Sequence, residues 1–334
     1  MGTVTISPRL HAILAREADK AVVFRRGPSN KTAVLEWDLD TDAFTLGQWF
    51  YGSFYPYRCD LSPDGRHLVY FAAKYGRTGS LDAYITSRVE AEVGPLPCDD
   101  VSWLRLLAHF DRNRKCRARI ASDALTKHEK ERQIRSGEYH DCSWTAISRV
   151  PYLKALALWF NGTGWNGGGL FVDNERIVVN HLSDDEVKLG GGPFVEVPPP
   201  EFCKELGHAR GECPMVYLPR LARDGWAEIS PSPQIDWFEK PLPNGLWLRK
   251  AFHYGSSGIG HGCYWESHAI CGPGRKAVVD GPNWSWADFD RQRNRIVFAQ
   301  DGVMYDIQCA DIQAVPRKLY DFNGMKYERI KAPY

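Results

Sequence analysis

The dominant pattern along the chain is a period of two, interrupted by turn residues. In Thr32-Ala33-Val34-Leu35-Glu36-Trp37-Asp38-Leu39 the polar positions fall between apolar ones, as they do in a half-buried strand. With His11 to Arg16, Lys20 to Arg25 and Ala43 to Phe50 it predicts a four-stranded meander over residues 11–50. The next segment, Cys59-Asp60-Leu61-Ser62-Pro63-Asp64-Gly65-Arg66-His67-Leu68-Val69-Tyr70-Phe71, shows how units are punctuated. Proline presets φ, and Asp-Gly supplies a local acceptor and a positive φ, so the chain reverses into the strand 67–73. Further strands are expected at 81–87, 144–148, 152–159, 176–180, 226–230, 246–254, 263–270 and 276–280. Trp286-Ala287-Asp288-Phe289-Asp290 and Arg295-Ile296-Val297-Phe298-Ala299 then repeat the strand-turn-strand grammar inside a last unit, 284–322.

Two stretches break the pattern. In 97–140, Trp103, Leu104, Leu107 and Phe110 share a helical face, and Thr126-x-x-Glu129 has the form of a capping box. The second, 183–224, carries Pro198-Pro199-Pro200 and little periodicity. Both are expected to be insertions. What remains counts as about five units of four short strands, the repeat of a β-propeller. The chain resembles the propeller repeat superfamily, WD-type proteins and the propeller of the Tol system, at Asp60-Leu61-Ser62-Pro63-Asp64-Gly65, Trp286-Ala287-Asp288-Phe289-Asp290 and Trp37-Asp38-Leu39-Asp40-Thr41. The Gly-His and terminal Trp-Asp pairs of WD repeats are missing, so the resemblance implies an architecture and no functional residues. The expectation is one all-β domain over 1–334, a single propeller of about five blades, with a β-sandwich as the alternative fold.

Composition adds aromatic strands to this picture: 12 Trp, 15 Tyr and 15 Phe accompany 30 Gly and 21 Pro. Forty-two Lys plus Arg against 41 Asp plus Glu give a net charge of +1, which selects no polyanionic partner. No apolar run approaches the length of a membrane span, and the N-terminal residues have no secretory h-region. Nine irregularly spaced cysteines suit reduced thiols, so a cytoplasmic protein is expected.

Four constellations carry possible chemistry. Aligning residues 226–230 and 286–290 on 58–62 stacks Asp60, Glu228 and Asp288 at one repeat position. Carboxylates on inner propeller strands can serve as acid and nucleophile of a glycosidase; more simply, they hydrogen-bond backbone between blades. Cys203, His208 and Cys213, and separately His261, Cys263, His268 and Cys271, are soft ligands, but the first trio lacks a fourth partner. Along a strand Cys263 and Cys271 lie roughly 26 Å apart, too far for one zinc. The glycine-rich loops 162–169 and 255–262 lack the Gly-Lys-Ser/Thr ending of a phosphate cradle and read as hairpin loops. The basic run Arg112-Asn113-Arg114-Lys115-Cys116-Arg117-Ala118-Arg119 has no interleaved aromatics, so nucleic acid is an unfavoured partner.

These features favour a non-catalytic binding or scaffold protein with no cofactor. A protein or small polar ligand would meet aromatic-rich loops holding Trp49, Phe50, Tyr51, Phe54, Tyr55, Tyr57 or Trp165. The rival is a hydrolase using Asp60, Glu228 or Asp288, distinguished by two of those carboxylates standing about 5–10 Å apart across one pocket.

Overall fold

A computed structural model describes residues 6–29, 31–73, 143–161, 167–180, 200–202, 214–231, 235–254 and 264–334. The insertion 97–140, the basic run 112–119 and the strand expected at 81–87 lie outside those residues, as do Trp165, Cys203, His208, Cys213, His261 and Cys263.

The described residues form a propeller-like, all-β arrangement. Sheet 1 is the expected meander, with β1 (Arg9–Leu14), β2 (Lys20–Arg26), β3 (Lys31–Asp38) and β4 (Ala43–Tyr51). Sheet 2 has β5 (Ser53–Phe54) and β6 (Asp60–Leu61) on β7 (His67–Ala73), followed by β8 (Ser143–Arg149) and β9 (Ala157–Asn161). Sheet 3 holds three short strands, β10 (Gly169–Phe171), β11 (Ile177–Val179) and β12 (Pro200–Phe202). A helix, α1 (Pro214–Arg223), leads into sheet 4: β13 (Ala227–Pro231), β14 (Ile235–Pro241), β15 (Trp247–Tyr254), β16 (Tyr264–Cys271) and β17 (Ala277–Gly281). Sheet 5 is β18 (Trp284–Asp290), β19 (Arg295–Gln300), β20 (Val303–Gln308) and β21 (Arg317–Asp321).

Four of these sheets have the four or five antiparallel strands of a blade, where the sequence reading expects about five blades. Sheet 3 departs because β11 and β12 pair in parallel, which an up-and-down hairpin sheet cannot do. Within the expected excursion 183–224, the described residues form β12 and α1. The many separate sheets also set aside the two-layer sandwich alternative.

Alternation explains why the sheets stack radially. In β2, Ala21 and Val23 enter the seam with sheet 5, while Val22 and Phe24 enter the seam with sheet 2. In β19, Val297 and Ala299 face sheet 1, while Ile296 and Phe298 face sheet 4. A strand whose two faces feed different seams is buried throughout, as His67–Ala73 is, and apolar from Leu68 onward apart from the Tyr70 hydroxyl. A third seam joins Val69, Ile147 and Trp159 to Phe171, Ile177 and Val179 of sheet 3. The circuit runs β18 to β1, β1 to β6, β6 to β10, then through α1 to β13, and β16 returns to β18.

The Ser-Pro-Asp-Gly turn forms as its chemistry predicts. Gly65 N–H donates to Ser62 O at 2.8 Å, Ser62 Oγ donates to Asp64 Oδ1 at 2.6 Å, and Arg66 N–H donates to Asp64 Oδ1 at 3.0 Å. Gly65 takes φ +74°, and an added Cβ would meet Lys20 Cβ at 2.8 Å. Glycine is required there twice over.

Candidate functional site

The three stacked acids sit on β6, β13 and β18, and their surroundings differ. Asp60 is completely buried. Its carboxylate accepts two parallel bonds from Arg223 of α1, Nη1 to Oδ2 at 2.6 Å and Nη2 to Oδ1 at 2.9 Å. Phe171 N–H adds a third at 2.7 Å. Such a bidentate, charge-assisted pair fixes a carboxylate rather than leaving it to move protons. Arg223 also holds Asp224, Nε to Oδ1 at 2.8 Å, and those two carboxylates raise its pKa despite burial. Asp288 accepts from Lys240 Nζ of β14 and from Phe289 N–H at 2.7 Å. Glu228 is exposed on β13. The repeat alignment therefore places the acids on edge strands, and α1 and β14 supply cations to two of them.

The sequence reading did not find the polar cluster that α1 completes. Val216, Tyr217, Arg220 and Leu221 are buried at helical spacing, but Pro219 inside the helix hides the pattern. Tyr217 donates its hydroxyl to Glu266 Oε1. Lys250 Nζ stands 3.3 Å from both Glu266 oxygens and 4.7 Å above the Trp226 ring. His268 Nδ1 is 2.9 Å from Trp284 O, so in the neutral ring the proton sits on Nδ1 and Nε2 is an acceptor. That Nε2 lies 3.4 Å from Glu266 Oε2, lone pair facing lone pair. Both atoms are buried without a hydrogen bond among the described residues. Burial would raise the Glu266 carboxyl, but chiefly Lys250 holds it well below the usual range. Burial lowers His268 and outweighs the opposing pull of Glu266.

Arg220 joins this cluster to sheets 1 and 2. It donates to Pro56 O at 3.1 Å, to Cys59 O and to His11 Nε2 at 3.2 Å. Accepting that bond requires a neutral His11, and its pKa is lowered by burial first and by the Arg220 charge second.

The aromatic candidates divide. Phe50 and Phe54 are buried against Trp144, Phe24 and Tyr70. Tyr57 packs on His11, Tyr217 and Phe252, and Tyr55 on Phe71. Tyr51 is 61% exposed at the end of β4, in register with Lys31. Two positions earlier, and so on the same face, Trp49 packs edge-on against Tyr327, itself 54% exposed and lying 4.7 Å beneath Lys31 Nζ. Trp49, Tyr51, Lys31 and Tyr327 thus make an aromatic, cationic edge on sheet 1.

No three His, Cys, Asp or Glu side chains among the described residues are grouped to hold a metal ion. Cys59, Cys271 and Cys309 are free and buried, and burial pushes the Cys59 thiol up to about 12, which leaves it an unreactive thiol. No described helix is long and apolar enough to cross a membrane.

No family model and no curated protein matches the chain in sequence. Among solved structures it is similar to an acylaminoacyl peptidase from Pyrococcus horikoshii, at 10% identity and a TM-score of 0.30, over 94% of this chain and 45% of that one. It is also similar to tricorn protease, at 10% identity and a TM-score of 0.22, over 91% of this chain and 21% of that one. This chain therefore spans less than half the length of either. At such scores the likeness carries no argument about activity, and the functional reading rests on the side chains.

Proposed function

We propose that this chain is a single-domain, non-catalytic binding module that meets a protein partner at the aromatic edge of sheet 1. One observation carries the reading: Asp60 and Asp288, the inner-strand acids a hydrolase would use, are each engaged by a basic side chain. A carboxylate that attacks a substrate or passes it a proton needs an unencumbered oxygen, and the cation bonded to each of these two occupies that oxygen. The exposed Tyr51, on the same strand face as Trp49, offers the aromatic surface that interface anchors favour.

The test has two arms. The purified chain is expected to leave aryl glycosides and aryl esters intact, and turnover abolished by Asp288→Asn would overturn the non-catalytic reading. In quantitative capture from a lysate, Tyr51→Ala is expected to remove a discrete partner that the parent chain retains. An unchanged set of captured proteins would sink the assignment of this edge.

A further inference from the structure

Residues 323–334 leave sheet 5 without regular secondary structure and run across the edges of sheets 1 and 2. Asn323 and Met325 tie them to their own end of the chain, and three contacts reach sheets 1 and 2. Tyr327 lies between Trp49 and Lys31. Ile330 O accepts from Gln48 Nε2 at 3.0 Å, while Gln48 Oε1 accepts from Leu153 N–H at 2.7 Å, so one side chain reads the segment and ties it to sheet 2. Tyr334 is clamped: Arg149 lies 5.0 Å and Lys154 5.3 Å from its ring. Its hydroxyl accepts from Arg149 N–H at 3.0 Å and donates to Lys154 O at 2.8 Å.

The cradle has contacts of its own that do not involve the segment. Gln48 N–H donates to Pro151 O at 3.2 Å, and an added Cβ on Gly47 would meet that oxygen at 2.0 Å. Only glycine lets β4 come close enough to the β8–β9 turn to place Gln48 between the sheets. The segment itself is shallowly seated, with residues 326–329 exposed and Ile330 and Tyr334 half-buried. Main-chain reading plus pockets for spaced side chains is how extended peptides are bound, and ring-plus-hydroxyl recognition selects tyrosine.

We infer that the cradle between sheets 1 and 2 is a recognition site for an extended peptide with tyrosines seven residues apart, and that residues 323–334 are its resident competitor. The inference rests on the binding reading above and names its partner class. A tethered competitor acts at an effective concentration on the order of millimolar, so it masks the site from weak ligands and yields to a better peptide.

The probe is a fluorescein-labelled synthetic peptide of residues 323–334, titrated into the full chain by anisotropy. The full chain carrying Tyr327→Ala and Tyr334→Ala is expected to bind it at least tenfold more tightly than the parent. Adding Gln48→Ala and Lys154→Ala is expected to remove the gain, with the circular dichroism melt reporting that the fold persists. Tyr334→Phe alone, which keeps the ring, is expected to give a smaller gain and serves if the double variant misfolds. Equal affinity in parent and variant, or no saturable binding to either, overturns the proposal. A concentration-dependent dimer lost on Tyr334→Ala also overturns it, in favour of exchange between copies. A failed titration alongside intact Tyr51-dependent capture rejects the cradle alone; loss of both rejects the binding reading.

Discussion

Two of the polar seams between sheets are built on opposite principles. Where sheet 5 meets sheet 1, Arg295 is buried among Asp42, Asp290 and Asp306, with bonds of 2.8–3.0 Å to each and a further bond to Leu39 O at 3.1 Å. Arg317 bridges Asp42 and Asp306 from the solvent side. Despite burial, Arg295 holds the Asp42 carboxyl below its usual range. At the α1 seam, Lys250, Glu266, His268, His11 and Arg220 are equally buried, yet Glu266 Oε2 and His268 Nε2 stand 3.4 Å apart without a hydrogen bond among the described residues. The first seam is a satisfied clasp that closes the circuit between the last sheet and the first. The second holds neutral histidines beside a carboxylate with no hydrogen bond between Glu266 Oε2 and His268 Nε2. A buried charge is safe only with its full set of partners, and the two seams show both sides of that rule.

Removing the centre of the clasp is the largest perturbation. Arg295→Met leaves three aspartates with only Arg317, at Asp42 and Asp306, and the more distant Arg293, at Asp290, to compensate, and the expected cost lies toward the upper end of about 3–5 kcal/mol. Urea unfolding reads it, and a loss under about 1 kcal/mol would mean that the clasp is ornamental. At the α1 seam, Lys250→Met strands the Glu266 carboxylate and is expected to cost about 3 kcal/mol or more. Lys250→Met with Glu266→Leu is expected to cost less than either single change, because no buried charge is left unpaired. A double variant as unstable as the sum of its parts would contradict that account.

How much of this was legible in the sequence depends on whether the signal was local. The Ser62–Gly65 turn and β7 could be read because turn chemistry and apolar runs act over a few residues. The strand Ile235–Pro241 was missed because the prolines around it read as turn, although its backbone pairs with β13 and β15 along its length. Sheet 3 was counted into a blade because nothing near Ile177 announces that its partner, Pro200–Phe202, will run parallel. Asp60 stood out as an acid at a repeat position, but its partner Arg223 is 163 residues away on a helix that Pro219 disguises. Likewise nothing near Tyr327 or Tyr334 announces their cradle, which comes from residues 48–49 and 149–154. Local grammar names elements; long-range pairing decides what their side chains do.

The buried histidines make the second seam sensitive to pH, with a definite sign. Folding lowers the pKa of His11 and His268 from the unfolded value of about 6.5, so below that pH the unfolded chain binds protons the folded chain refuses. Their stability contribution is complete above pH 6.5 and is lost as pH falls through it; His67, also lowered by burial, adds in the same direction. Glu266, held low chiefly by Lys250, loses its contribution only below the ordinary glutamate range. Unfolding free energy is therefore expected to fall from pH 7.5 to 5.5, each histidine contributing a slope of up to about 1.4 kcal/mol per pH unit. His268→Gln removes one such slope, and a profile equally steep in parent and variant would show that His268 is already protonated in the fold.

The smallest expected effect separates the clasp from the strap. Tyr334→Phe keeps the ring between Arg149 and Lys154 but removes a hydroxyl that accepts from one backbone group and donates to another. Arg149 N–H and Lys154 O lie at a half-exposed rim, where water can take the place of the lost partner, so the cost is expected at about 0.5–1.5 kcal/mol. Global unfolding should barely register it, while hydrogen exchange at the Arg149 amide should quicken severalfold, because that donor is opened locally. If exchange there is unchanged, the segment is already detached for much of the time, and the sheet 5 to sheet 1 closure rests on Arg295 and the apolar seam around Trp37, Trp286 and Phe322 without help from the strap.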